Sequence, residues 1–151
     1  MNLLTKYFGE IDYNIDSTLH FASGIFGFDE EKEFALLPFE QGNSMLLCMQ
    51  STRTPALAFV LMNPFALDPA YAPVLQPQEL EELGVKDSKE LCYYVLCTAK
   101  KPVSESTINM KCPIVINDET YRAAQVILEG DAYEMRKRLS DFERKADDVS
   151  C

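Results

Sequence analysis

The apolar residues of this chain come in short runs closed by turn formers, and that pattern restricts it to a fold of short strands. Phe34–Leu37, Met45–Met49, Leu57–Met62 and Leu91–Cys97 are four to seven residues long, each too short for a core helix. The first of them is stopped by Pro38. The second and third are separated by the polar link Gln50-Ser51-Thr52-Arg53-Thr54-Pro55, and Asn63-Pro64-Phe65 ends the third. Runs of this length bounded by turn residues suit strands buried on both faces. Tyr93, Tyr94 and Val95 give the fourth a strongly strand-forming centre.

Period-two alternation adds further strands. Tyr7, Gly9, Ile11, Tyr13 and Ile15 fall on one face, with Lys6, Glu10, Asp12 and Asn14 on the other, which predicts one half-buried strand. Leu19 and Phe21 repeat the pattern, and Gly24-Ile25-Phe26-Gly27-Phe28 then predicts a packed turn. Strands around Pro113–Asn117 and Tyr121–Leu128 are joined by Asn117-Asp118-Glu119-Thr120, a plausible hairpin turn.

Helices are accessories. Pro77 fits a first helical position, Glu79, Glu81 and Glu82 suit the positive end of the dipole, and Gly84 can cap the end. A short helix is therefore expected at 77–83. A second is expected from Asp131, where Asp131 and Glu134 have capping-box spacing. Met135, Leu139 and Phe142 form its apolar stripe, and a charged, frayed tail follows. The expected architecture is mainly β, a sandwich or small barrel over residues 1–130 followed by a C-terminal helix and charged tail over 131–151.

Charge narrows the choice of partner. The net charge is −10, and residues 1–130 hold 18 Asp/Glu against 9 Lys/Arg, so the acidity belongs to the folded body. Such a surface repels phosphate backbones, which argues against direct nucleic-acid binding and suits a basic protein partner. No apolar run approaches membrane-spanning length and the N-terminus lacks the apolar core of a signal peptide, so the expectation is a cytoplasmic protein. The five cysteines, at 48, 92, 97, 112 and 151, are odd in number and form no CxxC pair. Buried reduced thiols are expected, with Cys151 exposed, rather than disulfides or a zinc site.

Catalysis finds no support. The single histidine, His20, alternates with Leu19 and Phe21 and so points away from their face. No nucleophile elbow, phosphate loop or dinucleotide fingerprint is present, and most carboxylates lie in runs such as Asp29-Glu30-Glu31. No cofactor or metal is expected.

The residues selected as a partner-binding site are Asn63, Pro64, Phe65, Asp68 and Tyr71. Pro64 has no amide to donate, so the sheet ladder stops there and a proline-rich loop begins. Loops stiffened by proline at their roots lose little entropy on binding. The competing reading has Phe65 and Tyr71 folding back to cover the end of the barrel.

The ordered motifs resemble the FliW family of flagellar assembly factors. They are Thr5-Lys6-Tyr7-Phe8-Gly9, then Gly24-Ile25-Phe26-Gly27-Phe28 with Glu30-Glu31-Lys32-Glu33-Phe34. Phe59-Val60-Leu61-Met62-Asn63-Pro64-Phe65 follows, with Asp68 and Tyr71 after it. Last come Ser106-Thr107-Ile108-Asn109, Pro113-Ile114-Val115-Ile116-Asn117 and Ala124-Gln125-Val126-Ile127-Leu128. The chain departs from the pattern at Phe26, where proline is common, and in continuing past its last strand. The resemblance implies a compact, mainly antiparallel β-barrel-like domain, and a monomeric, non-enzymatic cytoplasmic protein with two mutually exclusive partners. One is newly made flagellin. The other, bound when flagellin has been exported, is the RNA-binding translational regulator CsrA, whose repression of flagellin synthesis is thereby relieved. The alternatives are a flagellin-binding chaperone with no regulator partner and, more remotely, a flavin-binding enzyme on a similar small barrel.

Overall fold

The computed structural model describes residues 2–40 and 43–142. Strands β1 (Asn2–Thr5) and β2 (Gly9–Asp12) form an antiparallel hairpin. The main sheet comprises β3 (Leu19–Phe21), β4 (Glu33–Glu40), β5 (Asn43–Ser51), β6 (Ala58–Met62), β7 (Cys92–Thr98), β8 (Thr107–Asn117), β9 (Arg122–Gln125) and β10 (Lys137–Arg138). The seven strands β3 to β9 close into a barrel, because β9 pairs with both β3 and β8. Every pairing is antiparallel except β3 with β9.

Strand β8 is the longest and serves three neighbours. β7 lies along one edge; on the other, β10 pairs with Thr107 and Ile108, and β9 with Ile114 to Asn117. The β7–β8 register breaks between Tyr94 and Leu96, opposite the stretch of β8 that contains Pro113. A residue without an amide is accommodated at such an irregularity.

Alternation along the strands sorts the apolar side chains into layers. Leu19, Phe21, Phe34, Met49, Leu61, Ile114 and Ile116 fill one core cluster, while Tyr93, Val95, Ile108 and Val115 belong to a second. That second layer is covered by Tyr71, Leu75 and Leu83 from the β6–β7 connection and by Val126, Leu128 and Phe142. The N-terminal hairpin forms a third, placing Leu3 and Tyr13 against Ala35, and the Tyr13 hydroxyl is hydrogen-bonded to that of Thr18. Burial of both faces explains the nearly continuous apolar sequence of β8.

The expected short helix is present as α2 (Pro77–Glu82), after a one-turn helix α1 (Pro64–Leu67). Pro77 occupies its first turn, the Glu79 carboxylate accepts the Gln76 amide, and Gly84 follows at φ +76°.

Four expectations change. The Tyr7–Ile15 alternation is not one strand, because the chain reverses at Lys6 to Phe8 with Gly9 at φ +67°, leaving Tyr7 and Ile15 exposed. β4 does not stop at Pro38, which pairs in register with Leu47 of β5. Its other side faces no strand there, since β3 pairs only with Glu33 and Phe34, so no ladder bond needs the missing amide. Asn63-Pro64 opens a helical turn rather than a loop. The C-terminal helix starts at 139, not near Asp131, and is described over 139–142. The main-chain carbonyl of Glu134 accepts the amides of Met110 and Lys111, and β10 follows, so tertiary pairing overrides the helical pattern before Leu139. The tail beyond Phe142, with Cys151, lies outside the described residues.

Cys48, Cys92, Cys97 and Cys112 are free thiols, with Cys48 and Cys112 buried. No described helix is long and apolar enough to cross a membrane.

Candidate functional site

The five residues selected from the sequence split into a scaffold and a surface. Asn63 caps α1, its side-chain oxygen accepting the Phe65 amide at 2.9 Å, and buried Pro64 occupies the first turn. The Asp68 amide closes the turn on the Pro64 carbonyl at 2.9 Å. The Asp68 carboxylate accepts the Ala70 amide at 3.0 Å, and its main-chain carbonyl accepts the Tyr71 amide at 2.9 Å. Asn63, Pro64 and Asp68 thus fix the backbone that presents Phe65 and Tyr71.

Those two rings meet at 5.8 Å between centroids, but they differ in exposure: Phe65 is 41% exposed and Tyr71 only 4%. Tyr71 runs inward, donates its hydroxyl proton to the Met110 carbonyl at 2.7 Å, and packs edge-on against Tyr133 at 4.6 Å. Phe65 also touches Tyr93 edge-on at 6.1 Å. Burial, reinforced by the neighbouring Tyr133, Cys112 and Tyr93, pushes the Tyr71 phenol well above the ordinary tyrosine range, so it stays a neutral donor. Tyr71 therefore belongs to the covering layer, and Phe65 stands half out of it.

The C-terminal segment completes the site. The Tyr133 hydroxyl accepts the Ala72 amide at 2.7 Å, tying the segment at 131–137 to the loop after α1. Between them lies a cavity of about 220 Å³ lined by Asp68, Met110, Asp131, Tyr133, Glu134 and Lys137. Three carboxylates against one ammonium make it acidic, and Lys137 also sits 4.4 Å above the Phe142 ring. An exposed aromatic beside an acidic rim suits recognition of a cationic protein surface. Among the described residues no cluster of His, Cys, Asp or Glu is placed to hold a metal ion. His20 faces outward, 3.8 Å from Glu33.

Tyr93, Met110 and Tyr133 were not assigned to the site from the sequence, which placed Tyr93 only at the centre of a strand. Tyr133 lies off the Met135–Leu139–Phe142 stripe, and an aromatic off a helical stripe was the one available signal.

Comparison with known proteins identifies the family. A family model described as FliW protein matches residues 2–139. The flagellar assembly factors FliW of Geobacillus sp. (strain WCH70) and Geobacillus kaustophilus (strain HTA426) are 40% and 39% identical to it over 139 residues, spanning 92% of this chain and 95% of theirs. A crystal structure of the flagellar assembly factor FliW matches with a TM-score of 0.85 at 37% identity, covering 92% of this chain and 96% of that one. The matched segment contains the whole barrel, the Asn63–Tyr71 turn and β10, and the chain belongs to the FliW family.

Proposed function

We infer that this chain serves flagellar assembly as a non-enzymatic cytoplasmic binding protein, monomeric when free. It binds flagellin, and when flagellin has left it binds and antagonises the translational regulator CsrA, relieving repression of flagellin synthesis. The observation that carries the reading is the near end-to-end kinship with proteins named flagellar assembly factors. Two properties of the fold support it. Exposed Phe65, beside the acidic cavity at Asp68, Asp131 and Glu134, offers an aromatic anchor with a negative rim. The net charge of −10 complements the basic surface that any RNA-binding regulator must carry.

The test is capture of purified flagellin and CsrA, separately and in competition, by the tagged protein and by two variants. Asp68→Asn keeps the acceptor for the Ala70 amide while removing the charge, and Phe65→Ala removes the ring. Both variants should stay folded and weaken one partner by about tenfold or more. Capture of flagellin alone by the unaltered protein would favour a chaperone with no regulator partner. Capture of neither would end the proposal, and full binding by both variants would move the contact surface elsewhere.

A further inference from the structure

A second cavity, which shares no lining residue with the aromatic site, gathers Lys32, Arg53 and Arg122 around His20. Strand register sets the arrangement. His20 of β3 lies between Arg122 of β9 and Glu33 of β4, as the Cα partner of each. Neighbouring strands stand about 4.8 Å apart and paired residues share a face, so these three side chains form one row on the outside of the barrel. Lys32 and Arg53 extend it. The Lys32 carbonyl accepts the Phe21 amide at 2.8 Å, and the Glu33 carbonyl accepts the Thr52 amide at 3.1 Å. The cavity they line has a volume of about 660 Å³, with Ala22, Ala123 and Glu82 also among its walls. Small-ligand sites run from roughly 300 to 1,000 Å³.

The charges here are the anomaly. The chain holds 24 Asp/Glu against 14 Lys/Arg, so a cation has an excess of carboxylates to choose from. The described ion pairs nevertheless join His20 to Glu33 and Arg138 to Glu105 and Asp141, and none includes Lys32, Arg53 or Arg122. Arg122 lines the cavity beside Gly84. Its guanidinium lies over Gly84, where a Cβ would stand 3.2 Å from Nη1. Three cations against Glu33 and Glu82 leave the lining net positive on a chain of net charge −10.

Three cations gathered at a ligand-sized cavity, Arg122 placed there by strand register and none of them in a described ion pair, call for countercharge from outside. We propose that this cavity binds a small oxyanion ligand carrying two or more phosphate or carboxylate groups. Arg53 and Arg122 supply planar, bidentate-capable donors and Lys32 a point charge. Glu33 and Glu82, which also line the cavity, favour ligands that offer hydroxyl donors over bare anions.

The test is titration of the full chain with inorganic pyrophosphate and, separately, with citrate at ~0.05 M salt, where surface charge is least screened. Amide resonances of residues 20–22, 32, 53 and 122–123 should shift in a saturable way with at least one of them, and the arm that saturates identifies phosphate or carboxylate chemistry. Arg53→Gln and Lys32→Gln should each weaken binding by about tenfold, as loss of a charge-assisted contact does. Lys100→Gln with Lys101→Gln, which removes two positive charges away from the cavity where each of those variants removes one, should leave the affinity within a factor of about two. Absence of saturable shifts with both probes, or equal weakening by the distant pair, overturns the proposal. So does binding shown only by a hexaglutamate peptide, which would make the cavity a contact for an acidic protein segment.

Discussion

The hydroxyl of Tyr71 reaches the main-chain carbonyl of Met110 at 2.7 Å, joining the connection after α1 to the middle of β8. Met110 lies where β8 has left β10 and not yet met β9, so its amide and carbonyl are served by Glu134 and Tyr71 instead of a strand. The phenol is therefore a structural donor, and its ring carries the exposed Phe65 edge-on.

The two neighbouring rings should respond differently to truncation. Tyr71→Phe leaves the Met110 carbonyl without its donor and should cost about 1–3 kcal/mol, while Tyr71→Ala also opens a cavity and should cost about 3–5 kcal/mol. Phe65→Ala, at a ring 41% exposed, should cost about 1 kcal/mol or less. Urea unfolding of the three variants checks the order, and a Phe65→Ala loss equal to that of Tyr71→Ala would make both rings core.

The C-terminal segment supplies a second contrast. Met135 and Phe142 sit on one stripe of the expected helix, yet Met135 is 54% exposed and Phe142 5%. Phe142→Ala should cost about 3–5 kcal/mol and Met135→Ala no more than about 0.5 kcal/mol. Equal losses in thermal unfolding would restore a continuous helix from Asp131.

These contrasts mark what was legible in the sequence. Short apolar runs and period-two alternation were enough for a fold of short strands, because burial acts directly on side-chain pattern. Pro77, the glutamates and Gly84 were enough for α2, because capping is local. Barrel closure was not readable, since β9 meets β3 in parallel across about a hundred residues of chain. The segment at 131–138 was misread because Glu134 and β10 bind β8, a tertiary demand that no local pattern encodes. At the candidate site, the sequence located the segment but predicted a loop where a capped helical turn stands, and whether a ring points in or out depends on Met110 and Tyr133, which lie far along the chain.

Association with a basic partner should be sensitive to salt. With a net charge of −10, encounter is steered by long-range attraction that screening removes. If CsrA is the partner, as proposed, raising ionic strength from ~0.05 to ~0.5 M should slow its association more than it speeds dissociation. Stopped-flow rates independent of salt would remove the electrostatic argument and leave the family assignment intact.

Alkaline pH should weaken the fold. Burial pushes the Cys48 thiol up from 9.0 to about 11, nearby Lys6 opposing it in part, and burial likewise raises Tyr71. Between the unfolded and folded values the native state holds protons that the unfolded chain has released, so stability falls as pH rises. The contribution of Cys48 is whole below pH 9 and is lost on passing about 11. Urea midpoints should decline above pH 9, and Cys48→Ala should shallow the decline; an unchanged slope in that variant would assign the loss to other groups.

The packed turn before β4 separates two glycines that look alike in sequence. Gly24 and Gly27 both adopt positive φ, +71° and +86°, so any L-residue at either is strained. That strain alone costs about 1–2 kcal/mol. Their surroundings differ. A Cβ at Gly27 would meet nothing within 4 Å, whereas one at Gly24 would stand 2.4 Å from the Asp29 carbonyl oxygen and 2.8 Å from that of Phe28. Those are backbone atoms, so the turn itself must open. The turn is bridged between Ile25 and Phe28, which exchange main-chain hydrogen bonds at 3.3 and 2.7 Å. It sends Ile25, 1% exposed, into the barrel core beside Phe21 and Phe34, and stands Phe28 edge-on to Phe59 at 5.5 Å. Gly24→Ala should therefore displace Ile25 as well as strain the backbone, costing on the order of 3 kcal/mol or more, against about 1–2 kcal/mol for Gly27→Ala. Thermal unfolding of the two variants decides it. Equal losses would mean that the conformation alone, and not the close approach of Asp29, requires glycine at position 24.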